Sequence, residues 1–323
     1  MIRTVLGNGV VRKVGGALLT LLGVAVVVFI MLRAIPGNQI TANLGTEAAA
    51  LTPAQQEALR SYYGLDQPLV VQFFSWLGNL LTGNLGYSAR NQASVWELTA
   101  QSLPVTMELA VLSIVLALVI GVPLGMLAAS RPNSVRDGVS QTVGLAGLSI
   151  PAFLLGSLLL SVFASRFGYN PNGRAYATFL TNPALNLQQM LMPSFVLAFG
   201  IAAPIMRTTR TAVLEVRSED FIRTARAKGV PPRRLQVRHV LRNALVPIVT
   251  MTGLQFGYLL GGAVVVEQIF SIPGIGRQVL LGIQQKEYAL VQSTVLVIAL
   301  AFVIVNLLTD LLYRAIDPRV RAS

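Results

Sequence analysis

Several stretches of this chain run for 19 residues or more without a single charged side chain, six of them read as membrane spans, and nothing else constrains the fold so strongly. These six are 14–32, 109–130, 138–165, 175–206, 243–266 and 288–309, each with a core rich in Leu, Val, Ile and Ala. About 20 mostly apolar residues in helical form cross the hydrocarbon core of a bilayer. Lipid offers no partners to backbone N–H and C=O groups, so such segments must be helical. We therefore expect an all-α polytopic membrane protein. Its six transmembrane helices fall near 14–34, 103–128, 139–165, 189–212, 243–266 and 289–313. The fourth gap opens with Thr178, Thr181, Asn182, Asn186, Gln188 and Gln189, which places its span toward the C-terminal end. Charged residues make up 12% of the chain, about half the share in soluble domains, which argues against a water-soluble globule. With no Cys and one His, disulfides, a thiol nucleophile and a zinc site find no support.

The first span has the basic flank of a signal peptide in Arg12 and Lys13. It is too long for a usual apolar signal region and lacks a small-x-small cleavage site, so it reads as a retained helix. Orientation follows from Lys and Arg. Segments 1–13, 129–138, 207–242 and 314–323 hold 18 of the 25, and the intervening segments hold 7. Basic excess marks the cytoplasmic side, which puts both termini in the cytoplasm. Topology and anionic lipid headgroups account for this surface. No aromatic-basic platform accompanies it, so we expect no nucleic acid partner.

Two loops exceed mere connectors. In the outer one, Thr52 with Gln55 forms a capping box and Pro53 opens a short helix over 53–63. A second helix, over 68–82, carries Val70, Val71, Phe73, Phe74, Trp76, Leu77, Leu80 and Leu81 and is apolar nearly all round. Packing on the chain's own helices and contact with a partner both fit it. The inner loop, 213–242, predicts a helix capped by Ser218, with Glu219 and Asp220 on the positive end of its dipole. Phe221, Ile222 and Ala225 form a narrow apolar face, Arg223, Arg226 and Lys228 cover the others, and Gly229 ends the helix before Pro231-Pro232. A lever for a soluble partner and a helix lying on lipid headgroups both suit this pattern. The outer segment 267–287, interrupted by Pro273, Gly274 and Gly276, reads as a re-entrant element lining a pathway or as a surface-packed loop.

Within the spans, Glu108 and Asp310 lie near the ends, and both suit structural roles. No Asp, Glu, His or Lys stands at a midplane, which counts against a proton- or sodium-coupled carrier. There is no catalytic constellation, and no G-x-x-x-x-G-K-[ST] motif, so nucleotide chemistry would belong to another chain. His239, in a basic loop, suits packing or the surface rather than metal ligation.

At this point the residues resemble a known family. Asp220-Phe221-Ile222-Arg223-Thr224-Ala225-Arg226-Ala227-Lys228-Gly229, followed by His239, Arg242-Asn243-Ala244-Leu245 and Pro247, looks like the EAA loop of ABC-transporter permeases. The closest likeness is to the bacterial dipeptide/oligopeptide importers. Gly64-Leu65-Asp66-Gln67-Pro68-Leu69, Trp76, Gly83-Asn84-Leu85-Gly86-Tyr87-Ser88, Pro104 with Glu108-Leu109-Ala110, and Glu267-Gln268-Ile269-Phe270-Ser271-Ile272-Pro273-Gly274-Ile275-Gly276 match the same branch in order. The likeness spans essentially the whole chain. The literal Glu-Ala-Ala is replaced by Arg223-Thr224-Ala225, as is usual in the peptide branch. Asn84 and Asn38-Gln39 depart from the branch at the outer face.

The resemblance implies a type I ABC importer permease in the bacterial inner membrane. It implies a second homologous permease subunit, two cytoplasmic ATPase subunits and an extracytoplasmic solute-binding protein that delivers peptide. ATP and Mg would be bound by the partner subunits, with no cofactor on this chain. Phe221, Ile222, Arg223, Ala225, Arg226, Lys228 and Gly229 would couple to the ATPases; Phe73, Trp76, Glu267, Phe270, Pro273 and Gly274 are candidates for outer partner or pathway contacts. The resulting organisation is a cytoplasmic tail 1–13, a first span 14–34, an extracytoplasmic helical region 35–102, a permease core 103–316 and a cytoplasmic tail 317–323. Nickel, glutathione or another small solute are alternative cargoes within the family, and an ion-coupled secondary transporter is the alternative class.

Overall fold

The computed structural model describes residues 2–34, 52–62, 64–88 and 90–316. Parts of two expected regions, 35–51 of the outer loop and the tail 317–323, lie outside the described residues. The chain divides into two compact units, one from Met1–Pro104 and Gly274–Val303, the other from Val105–Pro273 and Ile304–Ser323.

The first unit opens with α1 (Ile2–Ala34), so helix already runs through the segment expected to be a tail. Then come α2 (Pro53–Tyr62) and α3 (Leu69–Leu81). The capping box forms: Thr52 N donates to Gln55 Oε1 at 2.9 Å, and Gln55 N donates to Thr52 Oγ1 at 3.4 Å. A two-residue hairpin pairs β1 (Tyr87–Ser88) antiparallel with β2 (Ala93–Ser94). The hairpin is pinned by Glu287, a buried carboxylate that accepts from Ser88 Oγ at 2.7 and 2.9 Å and from Arg90 N at 3.1 Å.

The second unit is built around α7 (Pro183–Ser218). Against it lie α4 (Val95–Ser130, which starts in the first unit), α5 (Val135–Ser149) and α6 (Ala152–Phe167). Short helix α8 (Asp220–Ala227) and α9 (Pro232–Arg234) lead through a π-helical turn, Leu235–Leu241, into α10 (Arg242–Gly262) and α11 (Val264–Ile269). Then α12 (Ile275–Gln284) and α13 (Tyr288–Ile316) follow. Small residues bring α7 close to its neighbours. A Cβ on Gly121 or Gly125 of α4 would lie 2.8 or 2.6 Å from backbone oxygens of Ala202 or Met206, and one on Gly147 of α5 would lie 2.7 Å from that of Phe199. Glycine is needed at these positions for the backbones to meet.

Among the described residues, four single helices are long and apolar enough to cross a membrane: Arg12–Ala34, Val95–Ser130, Pro183–Ser218 and Tyr288–Thr309. The third expected span, 139–165, does not form one straight helix; α5 and α6 meet at 96°. The cause is Pro151, which pushes Ile150 into extended backbone (ψ 116°) and caps α6 instead of continuing α5. The fifth expected span, 243–266, falls on α10 and α11, which meet at Ala263. The polar opening of the fourth gap is loop and turn up to Asn182 and helix from Pro183 onward, where Asn186 and Gln189 are buried. Asn182 caps α7 by accepting from Leu185 N at 3.1 Å. The side chains of Asn186 and Gln189 then bond the backbone of the preceding loop at Ala177 and Ala175, with bonds of 3.0–3.1 Å. Gln189 and the Asn186 amide nitrogen are thus satisfied internally, while Asn186 Oδ1 is buried without a hydrogen-bond partner among the described residues.

Candidate functional site

Helix α8 hangs from the C-terminal end of α7. Its N-cap is Glu219, not Ser218; the Ser218 hydroxyl instead donates back to Glu215 O at 2.6 Å, closing α7. The far end closes as a Schellman motif: Val230 N reaches Ala225 O at 3.2 Å and Gly229 N reaches Arg226 O at 3.0 Å. Gly229 sits at φ +73°, a left-handed backbone that favours glycine.

One side chain anchors the helix. Ile222 is completely buried among Ala129, Ala212, Val213, Leu235, Val240 and Ile248, with Ala225 and Val230 partly buried beside it. Phe221, expected on the same apolar face, points outward and is 43% exposed. Arg223, Arg226 and Lys228 are exposed as well. The Arg223–Asp220 pair at 3.4 Å is so open to water that it adds little stability. The helix thus offers a bulky ring and three cations to solvent, on an inside edge fixed by isoleucine.

Sequence reasoning missed the residues that brace this site. Arg217, one turn before α8, donates to the Ala129 carbonyl and, at 2.9 Å, to Gln236 Oε1 in the π-helical turn. Arg210 makes a bidentate pair with Asp137, at 2.8 and 2.7 Å. Asp137, the one acid of segment 129–138 beside Arg131 and Arg136, was the available signal.

The outer candidates fall in two places. In the first unit, Phe73 stacks edge-on against Phe29 of α1 with centroids 5.2 Å apart, and Trp76 lies 5.9 Å from the same ring. Arg33 sits 3.5 Å over the Phe29 ring and donates to Gln72 Oε1 at 3.0 and 3.1 Å. Phe73 and Trp76 therefore dock α3 onto its own chain. The large apolar residues that α3 leaves in the open are Leu69, Val70, Val71, Phe74 and Leu81. Beside α3 lies a cleft of about 1160 Å³, lined among others by Arg33, Arg60, Asp66, Trp76, Asn79 and Gln292. Trp76 Nε1 and Gln292 Nε2 are buried there without a hydrogen-bond partner among the described residues.

In the second unit, Glu267 and Phe270 are interior, not displayed. Glu267 is fully buried and accepts from Thr106 Oγ1, and Phe270 packs on the bare backbone of Gly156. Pro273 is exposed and Gly274, in the first unit, is buried. Glu108 takes a structural role, accepting from Tyr176 OH and Asn186 Nδ2, both at 3.3 Å. Burial and the Glu108 charge push the Tyr176 phenol upward, so it remains a donor at physiological pH. The side chain of Asp310 lies outside the described residues.

Residues 121–322 match the model of the binding-protein-dependent transport system inner membrane component, and residues 6–110 match that of its N-terminal part. The chain belongs to this family. The permease is 38% identical to the glutathione transport system permease protein GsiC of Escherichia coli K12 over 314 residues, covering 97% of this chain and 99% of that one. It is 39% identical, with the same coverage, to the GsiC protein of Salmonella choleraesuis strain SC-B67. An inward-facing conformation of the MetNI methionine ABC transporter shares the fold. It superposes with a TM-score of 0.54 at 18% identity, over 68% of this chain and 96% of that chain. The protein is thus an ABC importer permease of the inner membrane, a transport component and not an enzyme.

Proposed function

We propose that this permease forms, with a second similar permease subunit, the pathway for a small peptide delivered by an extracytoplasmic solute-binding protein. Two cytoplasmic ATPases, which carry ATP and Mg, drive the cycle. Helix α8 is the coupling helix, and both termini lie in the cytoplasm. The observation that carries this reading is the split of α8 into one buried anchor, Ile222, and a solvent-facing set of Phe221, Arg223, Arg226 and Lys228. A lipid-surface helix would turn an apolar face outward; this one turns an aromatic ring and cations, which suit a groove on a soluble protein. Among cargoes, glutathione is favoured by the relatives' names, and it is itself a tripeptide.

Two measurements test this. The chain has no Cys, so Arg226→Cys introduces a unique thiol; it should cross-link to an ATPase in membranes, and failure to do so would remove α8 from the coupling role. Uptake of radiolabelled glutathione by the reconstituted assembly should depend on ATP and the binding protein, with ordinary di- and tripeptides tested as competitors. Uptake by this chain alone, without ATP, would favour an ion-coupled carrier instead.

A further inference from the structure

The bracing around α8 goes further than holding one helix. Arg217 bridges three segments at the inner end of the second unit: its own helix α7, the last turn of α4 through Ala129, and the π-helical turn through Gln236. Seven residues earlier, Arg210 binds both oxygens of Asp137, on the first turn of α5. Asp137 is 1% exposed, and it also accepts from Asn133 N at 3.0 Å and Gln141 Nε2 at 2.9 Å. Ser134 caps the same helix by accepting from Asp137 N at 3.4 Å. The turn between α4 and α5 is therefore tied to α7 by charge at one point and to its own backbone at two. Further into the membrane the same helices meet through bare glycine backbone at Gly121, Gly125 and Gly147.

This arrangement differs from apolar packing in one respect that matters for force. An apolar contact slides at small cost until it separates. A bidentate pair with a buried carboxylate, as Asp137 has here against a partly exposed Arg210, tolerates little displacement, because partial rupture leaves that carboxylate without its partner. We propose that Arg217 and the Asp137–Arg210 pair are positioning residues of the coupling machinery. They lock the inner ends of α4, α5 and α7 and the π-helical turn into one block, so that movement of α8 carries all four. This rests on the coupling role of α8.

The test uses the assembled importer in proteoliposomes. Spin labels are placed through Arg226→Cys on α8 and Val139→Cys on the exposed side of α5, in a chain without native Cys. With the clamps intact, the distance between labels stays unchanged between nucleotide-free and ATP-bound states. In Arg217→Gln and Asp137→Asn it shifts on ATP binding, and tripeptide uptake per ATP hydrolysed falls at least fivefold. A merely structural defect would lower uptake and hydrolysis together and leave their ratio alone. Should Asp137→Asn fail to assemble, Arg210→Lys decides, since it keeps the charge but not the two-pronged geometry; a parental ratio and distance there would overturn the proposal. So would a label distance that changes with ATP in the parental chain. Loss of the Arg226→Cys cross-link to the ATPase is a separate result; it refutes the coupling role of α8 and takes this inference with it.

Discussion

Helices α8 and α3 are both short, both lie outside the long apolar spans, and are held in opposite ways. α8 is polar and is fixed by one wholly buried side chain, Ile222. α3 is apolar, buries no residue completely, and rests on its chain through the half-buried rings of Phe73 and Trp76. What each shows outward is reversed as well: cations and one ring on α8, and Leu69, Val70, Val71, Phe74 and Leu81 on α3. A polar helix with a single deep anchor can be pushed by a soluble protein without leaving its socket. An apolar helix with shallow contacts needs a nonpolar surface over it to be stable in place. The contrast fits the water-facing partner proposed for α8 and a covering surface of protein or lipid for α3.

The contrast can be broken or sharpened by substitution. The largest effect is expected for Ile222→Asp, which puts a carboxylate among Val213, Leu235 and Ile248. α8 should leave its socket, uptake should vanish, and trypsin should cut at Arg223, Arg226 or Lys228. The milder Ile222→Ala should cost about 2–4 kcal/mol of local stability. If cleavage of the Asp variant is no faster than in the parent, the anchor is elsewhere. Gly229→Asp comes next. It strains the left-handed turn and places an acid beside the cationic face, so ATP hydrolysis should persist while uptake falls at least tenfold with membrane insertion intact. Normal uptake would sink the coupling assignment.

Smaller effects are expected on α3. Phe73→Ala removes the ring against Phe29 and should lower stability by about 1–2 kcal/mol, less than a fully buried ring would, measured as a fall in thermal midpoint in detergent. The least change is expected from Phe74→Ser, within about 0.5 kcal/mol of the parent, because its ring is 64% exposed. A larger loss would mean that the row on α3 is covered within the assembled protein.

Much of this was legible in the chain. The uncharged gaps announce the long helices because a bilayer admits little else, and the family motif marks α8 and its glycine turn. Thr52-Gln55 and Gly229 act through neighbours three or four residues away, so local chemistry suffices to read them. The break at Pro151 was written in the sequence but masked by the unbroken apolar run around it, since hydropathy does not register backbone direction.

Other features required the folded chain. The apolar edge of α8 named Phe221, Ile222 and Ala225 together, yet only contacts with residues near 129, 212, 235 and 248 decide that Ile222 turns in and Phe221 turns out. In the same way, Phe73 and Trp76 are distinguished from Phe74 by the position of Phe29, more than forty residues earlier. Arg210 and Arg217 counted only as inner positive charge until Asp137, Ala129 and Gln236 were placed beside them. Length, charge and periodicity are local properties of a chain, and they determined where helices run and which side of the membrane is basic. Burial and charge pairing depend on atoms distant in sequence, and tertiary structure alone decided those.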